Sequence, residues 1–174
     1  MIRDARERGR SLAVFFLAVG PELFRDLEDA GLVEPGEPAR ERAQDEWECF
    51  ALYACVRGLV AAGGFGLETV DAVDSLHEAV AERWGLEGAD PERLAARRAR
   101  VAARYAEYGE IGQAAGKNAA LASRRLAEAA ARHMAGPSSP APELVETVGA
   151  LHDALAEGAA EAVRRAGHDG TPEG

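Results

Sequence analysis

The feature that most constrains the fold of this chain is the apolar run from Cys49 to Gly64. Only Arg57 is charged within it, and its apolar side chains point in every direction around a helix. Such a helix must be covered on all sides in water. The run is shorter than the ~20 residues of a membrane span, and charged residues precede it in the same predicted helix. We therefore predict a helical bundle around a buried central helix at about 39–62.

Proline, glycine and apolar periodicity divide the chain into predicted helical segments. These cover about residues 4–30, 39–62, 67–84, 91–135 and 142–166. The fourth segment has interior glycines, so it either breaks near 108–112 or continues as one rod with a small-residue groove. The short loop at 63–66 favours antiparallel packing of the second and third helices. The predicted fold class is all-α: one domain of five to six helices over 1–166 and a polar tail over 167–174.

Charge and cysteine content restrict the possible partners. The formal net charge is −10, so the long-range field of the chain repels nucleic acid and anionic lipid. Cys49 and Cys55 lie six residues apart on one predicted helix, which fits neither a disulfide nor a zinc-binding spacing. Asp4 and Glu7 dilute the amino-terminal positive charge that a signal peptide requires. We expect a cytoplasmic protein with no cofactor, no metal, no nucleic-acid partner and no membrane partner.

Arg57 is the first candidate binding residue. A guanidinium in the middle of an apolar helix must find a partner or extend its stem to reach solvent. One prediction is a structural ion pair with Asp71 or Asp74 of the third helix, and the other is an anchor for an anionic ligand. Buried arginines are usually paired, so the structural ion pair is favoured.

His77 is the second candidate, because it lies on or beside the apolar face of the third helix with Asp74 one turn before it. An acid and a histidine three residues apart form one element of a di-iron bundle. Neither His133 nor His152 has an acid three residues before it, so the rest of such a site is missing. We predict no metal site and expect a hydrogen-bonded or exposed histidine.

The fourth segment supplies the remaining candidates for a ligand pocket. Tyr105 and Arg98 lie along its inward stripe, where tyrosines usually pack with the hydroxyl at the wet edge. A pocket between the second, third and fourth segments would be lined by Arg57, Asp74, His77, Arg98 and Tyr105. This pocket is the basis of our alternative hypothesis, a small-molecule-binding or regulatory domain.

The same segment also carries two candidate interaction surfaces. One is a basic stripe whose 4, 3, 4 spacing aligns Arg93, Arg97, Arg100 and Arg104 on one helix face. These arginines could pair with the acids of the second and third segments, within the chain or across a dimer, or dock a partner protein. The other surface is the small-residue stretch around Gly112 and Gly116, which could mediate self-association.

No motif for catalysis is present in the sequence. The stretch from Gly112 to Asn118 resembles a phosphate-binding loop, but it has one residue too few between its glycines, and Asn118 replaces the required hydroxyl. No nucleophile and base can be paired from sequence. The leading hypothesis is therefore a non-enzymatic protein-interaction or self-associating domain, and the small-molecule-binding domain is the alternative.

Overall fold

The computed structural model describes residues 4–88 and 90–168. Over these ranges the chain forms six α-helices and no strand, which confirms the predicted all-α helical bundle. The helices are α1 (Ala5–Asp29), α2 (Ala39–Gly63), α3 (Leu67–Leu86), α4 (Pro91–Ala115), α5 (Ala119–Ala135) and α6 (Pro142–His168).

The fourth predicted segment is two helices, and they are separated later in the chain than expected. Gly116 follows the last residue of α4 with a φ of 59°, a left-handed conformation that glycine adopts without steric cost. Asn118 then caps α5, because its side chain accepts a hydrogen bond of 3.0 Å from the Leu121 N–H. Gly109 and Gly112 remain inside α4. The break predicted near 108–112 is therefore wrong in position.

Helix α3 packs most extensively against α1, although the short loop before it favoured α2. The reason is a close approach of the two backbones at Gly9, where an added Cβ would lie 2.9 Å from the Leu76 nitrogen. Ser75 fixes the same crossing by donating a 2.9 Å hydrogen bond to the Arg6 carbonyl. The α2–α3 contact exists but is smaller.

Helix α2 contacts all five other helices and packs most extensively against α6. At the α2–α6 crossing, a Cβ added to Gly58 would lie 2.6 Å from the Ala156 carbonyl oxygen and 2.6 Å from the Ala159 Cβ. Neither atom belongs to a flexible side chain, so only glycine fits there. Phe50 of α2 is fully buried, whereas Tyr53 is partly exposed.

The carboxyl-terminal helix extends slightly beyond its predicted end. α6 reaches His168, so it includes the first two residues of the expected tail at 167–174. The other residues of that tail, 169–174, lie outside the described ranges. Among the described helices, none combines the length and the apolar character that crossing a membrane requires.

The close α2–α6 crossing predicts that Gly58→Ala lowers the free energy of unfolding by about 1–3 kcal/mol, because the new methyl group overpacks two backbones. Gly109→Ala is the matched control: a Cβ there meets nothing within 4 Å. The control should raise stability by up to about 1 kcal/mol through helix propensity. Urea unfolding measures both variants. Equal effects of the two substitutions would contradict the proposed packing role of Gly58.

Candidate functional site

A cleft of about 450 Å³ lies between α3 and α4, with Leu52 of α2 at its base. Most of its lining is apolar and comes from Leu52, Val80, Ala81, Trp84, Val101 and Ala102. The polar lining residues are Asp74, His77, Glu78, Arg98 and Tyr105. Four of the five residues predicted to bind a ligand therefore line one cavity, and Arg57 is the exception.

His77 and Tyr105 join the two walls of the cleft. The His77 Nε2 lies 2.9 Å from the Tyr105 hydroxyl oxygen, and the two rings meet edge to face. Burial lowers the pKa of His77, although a hydrogen bond to the Val73 backbone and the charge of Asp74 oppose this shift. Burial also raises the pKa of Tyr105 well above its ordinary value. Both side chains are therefore neutral at pH 7.

Arg57 points away from this cleft. It forms an ion pair with Asp153 of α6, with 3.4 Å between Nη1 and Oδ1, and the Ser123 hydroxyl donates to the same carboxylate oxygen. The expected partners Asp71 and Asp74 were wrong, because α6 and not α3 lies against this face of α2. Arg57 does not line the cleft that contains His77, so the two residues do not share the pocket that was the alternative prediction.

The basic stripe of α4 pairs with α2 within the same chain. The shortest distances are 2.9 Å for Arg93–Glu41, 2.5 Å for Arg97–Glu48, 2.9 Å for Arg100–Asp45 and 2.6 Å for Arg104–Glu46. We call these four pairs the α2–α4 ladder. The Arg97 and Arg104 pairs are bidentate, the geometry in which a guanidinium binds a carboxylate best.

The inner part of the α2–α4 ladder is largely withdrawn from water. The Glu46 side chain is 7% exposed and that of Arg104 is 22% exposed. Burial raises the pKa of Asp45 and of Glu48, so desolvation outweighs the attraction of the neighbouring arginines at both carboxyls. The Arg97 guanidinium also lies 4.0 Å from the centre of the Trp84 ring, a cation–π contact beside the cleft.

The two glycines of the predicted self-association surface have different surroundings. Gly116 ends α4 with its left-handed φ, so the turn alone requires a glycine there. Gly112 is partly exposed inside α4, and a Cβ at this position would meet nothing within 4 Å. Internal packing therefore does not require a glycine at Gly112.

His152 is a core residue that sequence reasoning passed over. It is 1% exposed, its Nδ1 donates a 3.0 Å hydrogen bond to the Phe50 carbonyl, and its ring stacks on Phe50 with 3.9 Å between centres. Burial, assisted by the charge of Arg57, lowers the pKa of His152 to about 3. Its position four residues after Val148, on the apolar face of α6, was the available signal. In the described part of the chain, no three acidic, cysteine or histidine side chains group as a metal site would require.

The α2–α4 ladder predicts unequal costs for removing its carboxylates. Glu46→Ala should lower the free energy of unfolding by about 2–4 kcal/mol, because Arg104 loses its bidentate, buried partner. Glu41→Ala is the matched control on the same helix: the Arg93–Glu41 side chains are 67% and 55% exposed, so its cost should stay below about 1 kcal/mol. Chemical denaturation of both variants tests this order, and a cost for Glu41→Ala as large as that for Glu46→Ala would contradict it.

The buried His152 predicts a specific loss of stability in acid. The pKa of His152 is about 3 in the folded state and about 6.5 in the unfolded state. Below pH 6.5 the unfolded chain binds a proton at this residue that the folded chain does not, so the fold loses stability as the pH falls. Between pH 7 and pH 5 the loss is about 2 kcal/mol. His152→Asn keeps a donor for the Phe50 carbonyl and cannot titrate. Its free energy of unfolding in urea should therefore fall by about 2 kcal/mol less than that of the parent over this pH range. The control His133→Asn should lose as much stability as the parent between pH 7 and pH 5. Equal losses in His152→Asn and the parent would contradict the role given to His152.

Comparison with known proteins found no relative of this chain. No protein-family model matches the chain, and no curated protein and no solved structure is detectably similar to it.

Proposed function

We propose that this chain is a non-enzymatic small-molecule-binding domain whose ligand occupies the α3–α4 cleft. The observation that carries the proposal is an apolar cavity of about 450 Å³ with the neutral His77–Tyr105 pair in its lining. Ligand sites in proteins are typically clefts of about 300–1,000 Å³, mostly apolar, with a few polar groups that orient the ligand. Both the size and the lining of this cleft fit that description.

In this proposal, α2 supports the two walls of the cleft. α2 serves as the central helix: Leu52 forms the base of the cavity, and the α2–α4 ladder holds the wall that carries Tyr105. A cytoplasmic location accompanies the proposal, since Cys49 and Cys55 are free buried thiols. Burial raises the pKa of both to about 12, which keeps them unreactive.

The interaction hypothesis ranks second because much of its surface is already committed. The α2–α4 ladder engages all four arginines of the basic stripe within the chain. Gly116 has a local role in ending α4. Gly112, with open space around its Cα, remains the position that favours contact with a protein partner or a second copy.

Filling the cleft should abolish ligand binding without unfolding the bundle. Ala102 is exposed and lines the cleft, so Ala102→Trp places a large ring in the cavity. Ala103→Trp is the matched control, since Ala103 is exposed on the same helix but does not line the cleft. The uncharged dye N-phenyl-1-naphthylamine reports on occupancy by its fluorescence.

We expect saturable dye binding to the parent and to Ala103→Trp, and loss of that binding in Ala102→Trp. Circular dichroism should give the same helix content and a cooperative melt for all three proteins. Undiminished binding to the folded Ala102→Trp variant, or no binding to the parent, would refute the cleft as the ligand site.

A further inference from the structure

The charged residues of the cleft are separated along its length. Asp74, His77 and Glu78 lie within about one turn of α3, on one side of that helix. Tyr105 belongs to the same end, because its hydroxyl contacts His77. Arg98 is seven residues before Tyr105 on α4, which places it about 10 Å away along the helix axis. One end of the cleft therefore combines two carboxylates with a neutral imidazole and a neutral phenol.

The hydrogen bond between His77 and Tyr105 leaves an acceptor for a ligand at that end. The His77 Nε2 lies 2.9 Å from the Tyr105 hydroxyl oxygen. Whichever of the two groups donates this hydrogen bond, the Tyr105 oxygen keeps at least one lone pair that can accept from a ligand. With the Asp74 and Glu78 carboxylates, this end of the cleft is rich in hydrogen-bond acceptors.

Apart from Arg98, the rest of the cleft is lined by apolar side chains that suit an apolar body. Val80, Ala81 and Trp84 continue along α3 from the polar end, and Val101 faces them from α4. Arg57, the residue that suggested an anionic ligand, is paired with Asp153 elsewhere. Asp74 and Glu78 make the charge at the polar end negative, so this cleft does not suit the anionic ligand that was the alternative prediction for Arg57.

We infer that the ligand is an amphipathic amine, with an ammonium group that donates to the Tyr105 oxygen beside Asp74 and Glu78, and an apolar body along Val80, Trp84 and Val101. This inference rests on the proposed function, because it assigns a chemical class to the same cleft. An alkyl carboxylate is disfavoured at this end, since its charge would face the carboxylates of Asp74 and Glu78.

Three probes with the same chain length separate the head groups: octylammonium, octanol and octanoate. Each competes with N-phenyl-1-naphthylamine at pH 7 and constant ionic strength. We expect octylammonium to bind about fivefold to tenfold more tightly than octanol, as a partly solvated charge interaction allows, and octanoate to bind more weakly than octanol.

Variants at the carboxylates test the cause of that preference. The double substitution Asp74→Asn with Glu78→Gln should reduce octylammonium affinity to that of octanol and leave octanol unchanged. Glu82→Gln is the control, because Glu82 is exposed on α3 and does not line the cleft. Tyr105→Phe should weaken octylammonium and octanol alike, since both donate to the Tyr105 oxygen.

The outcomes distinguish this inference from the proposed function. Dye binding with equal affinities for the three octyl probes, or with octanoate the tightest, would overturn the amine assignment and leave the cleft as a binding site. A preference for octylammonium that survives the double substitution would also overturn it. Failure of the dye and of every octyl probe to bind would overturn both.

Discussion

The paired charges of Arg104 and Glu46, with their neighbours in the α2–α4 ladder, determine where α4 lies. Only Tyr108 and Ala115 of α4 are buried, which is a small apolar anchor for a helix of 25 residues. Leu94, Val101, Tyr105 and Ile111 also pack against the core while partly exposed, and four ion pairs to α2 fix the helix further. α4 is also the wall that carries Tyr105, so the shape of the cleft depends on these charges. A structural ladder of this kind sets geometry more than it adds stability, because desolvation offsets much of the attraction.

The secondary structure could be predicted from local signals in the sequence. Asp90 and Pro91 mark the start of α4 because a capping carboxylate and a first-turn proline both favour helix initiation, and the Asp90 side chain accepts from the Arg93 N–H at 2.8 Å. The end of α4 was misplaced, because three glycines offered similar local breaks and only Gly116 adopts the left-handed conformation. The one local signal that separates them is Asn118, a favoured N-cap residue two positions after Gly116, which caps α5.

The neighbours of each helix could not be predicted in the same way. Four residues of the candidate site, Asp74, His77, Arg98 and Tyr105, were found because their spacing placed them on inward faces of the predicted helices. Arg57 was assigned the wrong partner, since its pairing depends on α6 crossing α2 closely at Gly58. A glycine in an apolar helix does not indicate which other helix packs closely against it. His152 was overlooked for a related reason: its importance comes from burial against Phe50 of another helix.

The design of the α2–α4 ladder bears on how a molecule could reach the cleft. If α4 separates from α2, the arginines and their carboxylates become hydrated. This hydration offsets part of the attraction that is lost when the ion pairs break. That motion exposes less apolar surface than a separation at α2 and α6 would, because α4 has two buried residues and four partly exposed ones against the core, whereas α2 has eleven buried residues. We therefore expect the detachment of α4 to cost less free energy than the separation of α2 from α6. Movement of α4 would then widen the cleft between α3 and α4 and release a molecule held there.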